Sequence, residues 1–308
     1  MGTPRSGTTL VQRLVSEWTG ALIPPETHFW PEFAHPLWSR HEFPVSRAGV
    51  EAELRQWPRL TEILGELDLD LADVMAELDD PCERMWDLFA AIVRTLAGRG
   101  DLYGEKSPRN LIWWRVLARD VPELKFIAVV RDPRAVVASA TTVPFGSDSH
   151  VVRAEEWRAD QRLLHDAVQA LPTRRLLVVR YEELVTDLAA ADRRVCDFLG
   201  ASHPASSPVA GQARPAFLRR EVWKANAYGE ITADRVEVWR STLTPHQAEQ
   251  VAAICRAEMG VFGYEHAAPS RMVSLRHLAK LGPRDQLRRL RFRRNRRRRV
   301  GHTRGVRA

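Results

Sequence analysis

The apolar positions alternate between two kinds of pattern along the chain. Residues 10–18 (LVQRLVSEW) carry the three- and four-residue spacing of a short helix that leaves a glycine-containing turn. Residues 49–80 hold acidic, Leu-rich helical stretches, and 81–98 (PCERMWDLFAAIVRTLAG) predict a clearer amphipathic helix closed by Gly98 and Gly100. By contrast, 124–130 (LKFIAVV) is a continuous apolar run with β-branched residues, the pattern of a strand buried on both faces. A second such run is 176–179 (LLVV), followed by Arg180 and Tyr181. Helices are predicted at 133–142, 151–170, 187–199 and 245–258, and 203–215 (HPASSPVAGQARP) is a loop by composition. Strands alternating with helices predict an α/β fold built on a parallel sheet with right-handed crossovers.

Composition adds one division. Across 308 residues, 44% are apolar and 28% charged, ordinary values for a globular chain, and no apolar run reaches the ~18 residues of a bilayer span. The net charge of +7 is unevenly held: fifteen of the 46 Lys and Arg and one of the 39 acids lie in 270–308, which leaves the first 269 residues at −7. The expected organisation is therefore an acidic domain over 1–269 and a basic, partly disordered tail over 270–308. Within the tail, RRLRFRRNRRRR (288–299) places nine arginines in twelve residues. It reads either as a solvated extension or as a contact for anionic membrane or nucleic acid. Three widely spaced cysteines, Cys82, Cys196 and Cys255, give no disulfide framework or metal pair and suit a reducing, cytoplasmic setting.

Three segments carry candidate chemistry. Gly2-Thr3-Pro4-Arg5-Ser6-Gly7-Thr8-Thr9 has the G-x-x-x-x-G spacing of a phosphate loop, with Thr8 where the Walker lysine would stand. Its backbone N–H groups at a helix start, the hydroxyls of Ser6, Thr8 and Thr9, and the Arg5 guanidinium suit a tetrahedral anion. In VVRDPRAVVAS, Asp132-Pro133 reads as N-cap and first helical residue. Arg131 then sits at the C-terminal edge of the buried strand, where open α/β sheets bind ligands, and Ser139 lies two helical turns on. YGEKSPRN repeats this grammar, with Ser107 as N-cap, Pro108 as first residue and Lys106 just outside. The absent lysine, and the lack of a strand-to-Asp pattern for Mg, argue against a P-loop kinase or NTPase. A non-catalytic adaptor acting through the tail is a third reading.

On these residues the chain resembles the sulfotransferases that use 3′-phosphoadenosine 5′-phosphosulfate (PAPS), over roughly 2–266 apart from a divergent stretch at 35–100. TPRSGTTL resembles their 5′-phosphosulfate loop, and VVRDPRAVVAS resembles their 3′-phosphate element, which implies that Arg131 and Ser139 hold the 3′-phosphate. PPETH and GEKSP are closer to the bacterial and tyrosylprotein branch than to the aryl and steroid branch. That likeness implies Glu26 as general base and Lys106 on the transferring sulfuryl group, with His28 as a substitute base. RYEEL implies that Tyr181 lies near the nucleotide, and Lys224 is a candidate for a late nucleotide-contacting lysine. The segment 231–264 is similar to the family's closing helix and tail.

The resemblance implies in-line sulfuryl transfer, without a metal, to a hydroxyl or amine on a small-molecule, sugar or peptide acceptor. Trp30, Phe33, Trp38, Phe43 and Trp57 either line that acceptor site or pack the core. It also implies a P-loop-type sheet with an apolar strand ending just before Gly2, where only Met1 stands. The expectation is a start upstream of residue 1, with Met1 at an internal codon and the first strand missing from the chain as given.

Overall fold

The computed structural model describes residues 1–34, 37, 41–144, 147–201, 217–264, 272, 275–276, 279 and 281–305, with 297–305 as backbone alone. Trp38 and the predicted loop at 203–215 lie outside the described residues. The helices in chain order are α1 (Thr8–Thr19), α2 (Arg47–Leu54), α3 (Pro58–Glu66), α4 (Leu71–Ala76), α5 (Met85–Ala97) and α6 (Trp114–Asp120). They continue with α7 (Pro133–Ala140), α8 (His150–Ala170), α9 (Tyr181–Thr186), α10 (Leu188–Leu199), α11 (Trp239–Thr242), α12 (Pro245–Val261) and α13 (Pro283–Gly305). Two strands, β1 (Phe126–Val130) and β2 (Leu176–Arg180), pair in parallel from Phe126–Leu176 to Val130–Arg180.

β1 is buried along most of its length, as a continuous apolar run requires. α7 and α8 make the crossover to β2. On the other edge of β1, Gly2 bridges Val129 in parallel, and Val129 N donates to Met1 O at 2.9 Å. Met1 and Gly2 thus run beside β1 where a further strand was expected, and the loop leaves the sheet at the same end as Arg131.

Local chemistry sets the helix boundaries. Asp132 caps α7 by accepting from Arg134 N at 2.8 Å, and Pro133 fills the first turn, where its missing N–H costs nothing. α12 opens with Pro245 inside a capping box made by Thr244 and Gln247. The long helix α8 packs against α7, α12 and α13. The largest core joins α7, α8 and α12 to α2–α5, and a smaller cluster sets Leu10, Val11, Leu14 and Val15 of α1 against Val179, Leu184 and Val195. Each such aliphatic side chain stabilises by about 1.5–3 kcal/mol when fully buried.

Of the early aromatics, Trp30 and Phe33 are core residues: Phe29 and Trp30 are completely buried edge to face, and Phe33 stacks on Trp57 at 4.7 Å. The π-helical turn Phe29–Ala34 turns them inward, away from the loop. Phe43 is half-buried against the same core. Within the basic tail, Pro283–Gly305 is one helix laid along α8. Charge counting hid the reason: Arg289 and Arg293 pair with the buried Glu155, and Arg296 pairs with the buried Asp160.

Candidate active site

The loop folds tightly around its own backbone. Gly2 and Gly7 have φ of 154° and 93°, and Arg5, which has a Cβ, is held at 75°. A Cβ at Gly7 would meet the Tyr181 ring at 2.5 Å, so glycine is required for the close approach as well as for the conformation. Gly7 is the N-cap of α1 and supplies no side-chain cap. The first amides of α1 therefore face the site without an intrahelical partner. Ser6 is fully buried, and its Oγ makes no hydrogen bond.

Three segments converge beside it. Arg5 Nε donates to Ser139 Oγ at 3.2 Å, across 134 residues of sequence. Arg131 donates to the carbonyl of Arg5 and to that of Arg235, and its guanidinium lies 4.1 Å over the Tyr181 ring. Its Nε is buried without a partner. Burial lowers the pKa of both arginines, and for Arg5 the nearby charges of Arg131, Arg153 and Arg235 lower it further. Guanidinium stays charged regardless. The loop is thus surrounded by desolvated cations that a bound anion would relieve.

A second cluster adjoins the first. The Leu22–Tyr103 bridge runs two chain segments in parallel, and a few residues later Glu26 and Lys106 meet. Lys106 Nζ bonds Glu26 Oε1 and also donates to Thr9 Oγ1 at 3.2 Å. Lys224 Nζ lies 2.9 Å from the same Glu26 oxygen, and His28 Nε2 is 3.3 Å from Oε2. Burial alone would raise the Glu26 pKa. Lys106, the His28 hydrogen bond and Lys224 outweigh it and hold the carboxyl well below the usual carboxylate range. Burial also pushes Lys106 down, with Glu26 opposing. Two ammonium groups thus meet on one carboxylate oxygen, and Lys224 also reaches Glu221 at 2.9 Å.

Among the residues singled out in the sequence, contacts link Arg5, Gly7, Arg131, Ser139 and Tyr181 around the loop that holds Ser6, and link Glu26, Lys106, Thr9, His28 and Lys224 in a second cluster. Thr8 begins α1 between them. Three supporting residues were missed. Glu105 accepts from Thr27 N, Thr27 Oγ1, Ser107 N, Ser107 Oγ and Asn110 Nδ2 at 2.6–3.1 Å, stitching the PETH segment to GEKSP. Ser107 consequently serves Glu105 and His28 N rather than capping its helix. Arg59 donates twice to the Glu26 carbonyl, at 2.7 and 3.0 Å, and pairs with Glu221, which also holds Lys224. The only signal for Glu105 was its place in GEKSP. Arg59 lies in the stretch where the resemblance fades.

The second cluster opens into a cavity of about 1140 Å³, lined among others by Arg5, Thr9, Glu26, His28, Trp57 and Trp223. Trp57 thus belongs to both the core and the cavity wall. An apolar cavity of about 410 Å³ lies behind the loop, between α1, α5 and β1.

The chain is similar to known proteins in sequence and in fold. Residues 1–205 match a family model described as "Sulfotransferase family". The chain is 29% identical over 297 residues to nodulation protein NoeE of Sinorhizobium fredii (strain NBRC 101917 / NGR234), covering 87% of this chain and 65% of that protein's length. Its fold is similar to the sulfotransferase domain of the Synechococcus PCC 7002 olefin synthase, with a TM-score of 0.57 at 22% identity over 85% of this chain and 92% of that one. It is equally similar to the sulfotransferase domain of the curacin biosynthetic pathway, with a TM-score of 0.57 at 19% identity over 87% and 96% of the two chains. A loop that gathers cations at the end of a parallel strand, on a chain two-thirds covered by the family model, places the protein in the sulfotransferase family.

Proposed function

We propose that this chain transfers the sulfuryl group of PAPS to a hydroxyl or amine on a small-molecule, sugar or peptide acceptor. One observation carries the reading: Arg131 and Lys106, from two distant segments, meet the glycine-bounded loop that holds Arg5, beside the carboxylate of Glu26. The residues present fit the co-substrate. The unpartnered Ser6 Oγ and Arg131 Nε are buried polar groups of the kind that a phosphate or sulfate oxygen satisfies. Arg131 and Ser139 would hold the 3′-phosphate, the loop amides with Ser6, Thr8 and Thr9 the 5′-phosphosulfate, and Tyr181 the wall behind them.

PAPS supplies an activated sulfur–oxygen bond, which breaks as the acceptor's bond to sulfur forms. The protein's share is to position the reactants and stabilise charge. Lys106 and Arg5 face the developing charge, and one preorganised donor of this kind is worth about 3–4 kcal/mol, or 10²–10³-fold in rate. Glu26 takes the acceptor proton. With both lysines upon it, Glu26 is a weak base. Drawing Lys106 toward the sulfuryl oxygens removes its nearest counter-charge and raises its basicity. Base strength is thereby coupled to the presence of co-substrate. The contact between His28 Nε2 and Glu26 supports a second reading, in which Glu26 orients His28 and the imidazole takes the proton.

Thr8 in place of the loop lysine speaks against ATP–Mg chemistry. Three free, buried cysteines support a reducing, cytoplasmic setting. The test is mass-spectrometric detection of sulfated product from PAPS against a panel of phenols, sugars and peptides. Transfer of a phosphoryl group from ATP with none from PAPS would overturn the proposal.

A further inference from the structure

The tail helix α13 is held to the body by one face only. Leu281 is buried at its entry, and Ser149 Oγ donates to Asp285 at 3.2 Å in its first turn. Further along, Arg289 and Arg293 reach Glu155 and Arg296 reaches Asp160. The opposite face has a different composition. Leu287 stands three residues from Arg284 and from Leu290 and four from Arg291, which is itself three from Arg294, and these spacings put all five on one side of the helix. All five are exposed, Leu287 by 49% and Leu290 by 61%. Arg288, at the border, comes only within 4.0 Å of the exposed Asp148.

We infer that this outward face of α13 is a docking surface for an anionic lipid bilayer. The acid-paired arginines explain why the helix is folded, but they do not use the outward leucines. A helix with apolar side chains flanked by arginines lies in the plane of a membrane interface. There the leucines enter the headgroup–acyl boundary, and the arginine stems lie along it with their charges in the phosphates. Each such arginine strengthens partitioning onto an anionic surface about five-fold. A nucleic acid would take the arginines as well, through its phosphates, but would leave Leu287 and Leu290 in water. Two exposed leucines one turn apart therefore favour lipid. Because the body already fixes the helix, little ordering cost remains on docking. Among the described residues no helix is long and apolar enough to cross a membrane, so the contact is peripheral. The inference is independent of sulfuryl transfer.

The test uses the full chain in flotation with vesicles of phosphatidylcholine alone and with phosphatidylglycerol added. Binding is expected only to the anionic vesicles and should weaken steeply from about 0.1 to about 0.5 M salt. The L287S/L290S double variant should bind about ten-fold more weakly, and R291Q/R294Q roughly twenty-fold more weakly. The native cysteines are buried, so an environment-sensitive dye on L290C should shift to the blue when anionic vesicles are added. Absence of binding to anionic vesicles, equal binding to neutral ones, or an unshifted dye would overturn the inference. So would leucine variants that bind like the parent, or duplex DNA that displaces the vesicles.

Discussion

Lys106 and Glu26 stand 80 positions apart in sequence and form one buried ion pair, which Lys224 joins from the same side. The pair holds the carboxyl ionised and the lysine aimed at the loop, through Thr9. Removing Glu26 leaves Lys106 a buried charge without its carboxylate, so stability and catalysis are both at stake, whereas Lys224 and His28 stay on Glu26 when Lys106 is removed.

Glu26→Gln keeps the shape and a hydrogen-bonding group while removing the base. Turnover should fall about 10²–10⁴-fold, with 3′-phosphoadenosine 5′-phosphate still bound. His28→Ala should cost less than about ten-fold if Glu26 is the base, and as much as Glu26→Gln if the imidazole is. Lys106→Ala should cut turnover about 10²–10³-fold. Steady-state kinetics beside a thermal melt separates these effects from misfolding.

Glu105 ties five donors together and touches no substrate in this account. Glu105→Ala should cost about 2–4 kcal/mol of stability, because donors that face a charged acceptor are left unsatisfied. Urea unfolding of the variant against the parent reads that loss directly.

Asp160 gives a pH dependence. Complete burial outweighs Arg296 and raises its pKa from the ordinary 3.8 to about 6. Between those values the folded state keeps a proton that the unfolded state has released, so this group lowers stability as pH rises through the window. The full effect is about 3 kcal/mol. Below about 6 the carboxyl is neutral, and its pairing with Arg296 weakens, loosening the tail helix. Unfolding of Asp160→Asn followed from pH 4 to 7 should lack this component.

What the sequence revealed was local. The β1 run, the Asp132-Pro133 start of α7 and the glycine-bounded loop each lie within about ten residues, and spacing alone reports them. Glu26 and Lys106 are brought together by a bridge between Leu22 and Tyr103, which no periodicity encodes. The YGEKSPRN pattern marks Lys106, and only the resemblance marks Glu26. Arg59 and Glu221 are 162 positions apart and act on Glu26 and Lys224 from outside the motifs, so nothing near them in sequence marks them. Trp30 and Phe33 satisfy a core and a sugar site equally well until the π-helical turn fixes where they point. The tail reads as solvated because a charge count does not see Glu155 and Asp160 buried beneath it.

The most direct test is calorimetry with 3′-phosphoadenosine 5′-phosphate and, separately, ATP–Mg, on the parent and on Arg131→Ala. The account predicts one site for 3′-phosphoadenosine 5′-phosphate, weakened about 10–100-fold by the substitution, and no comparable binding of ATP–Mg. Tight binding of ATP–Mg with none of 3′-phosphoadenosine 5′-phosphate, or an affinity indifferent to Arg131, would contradict it.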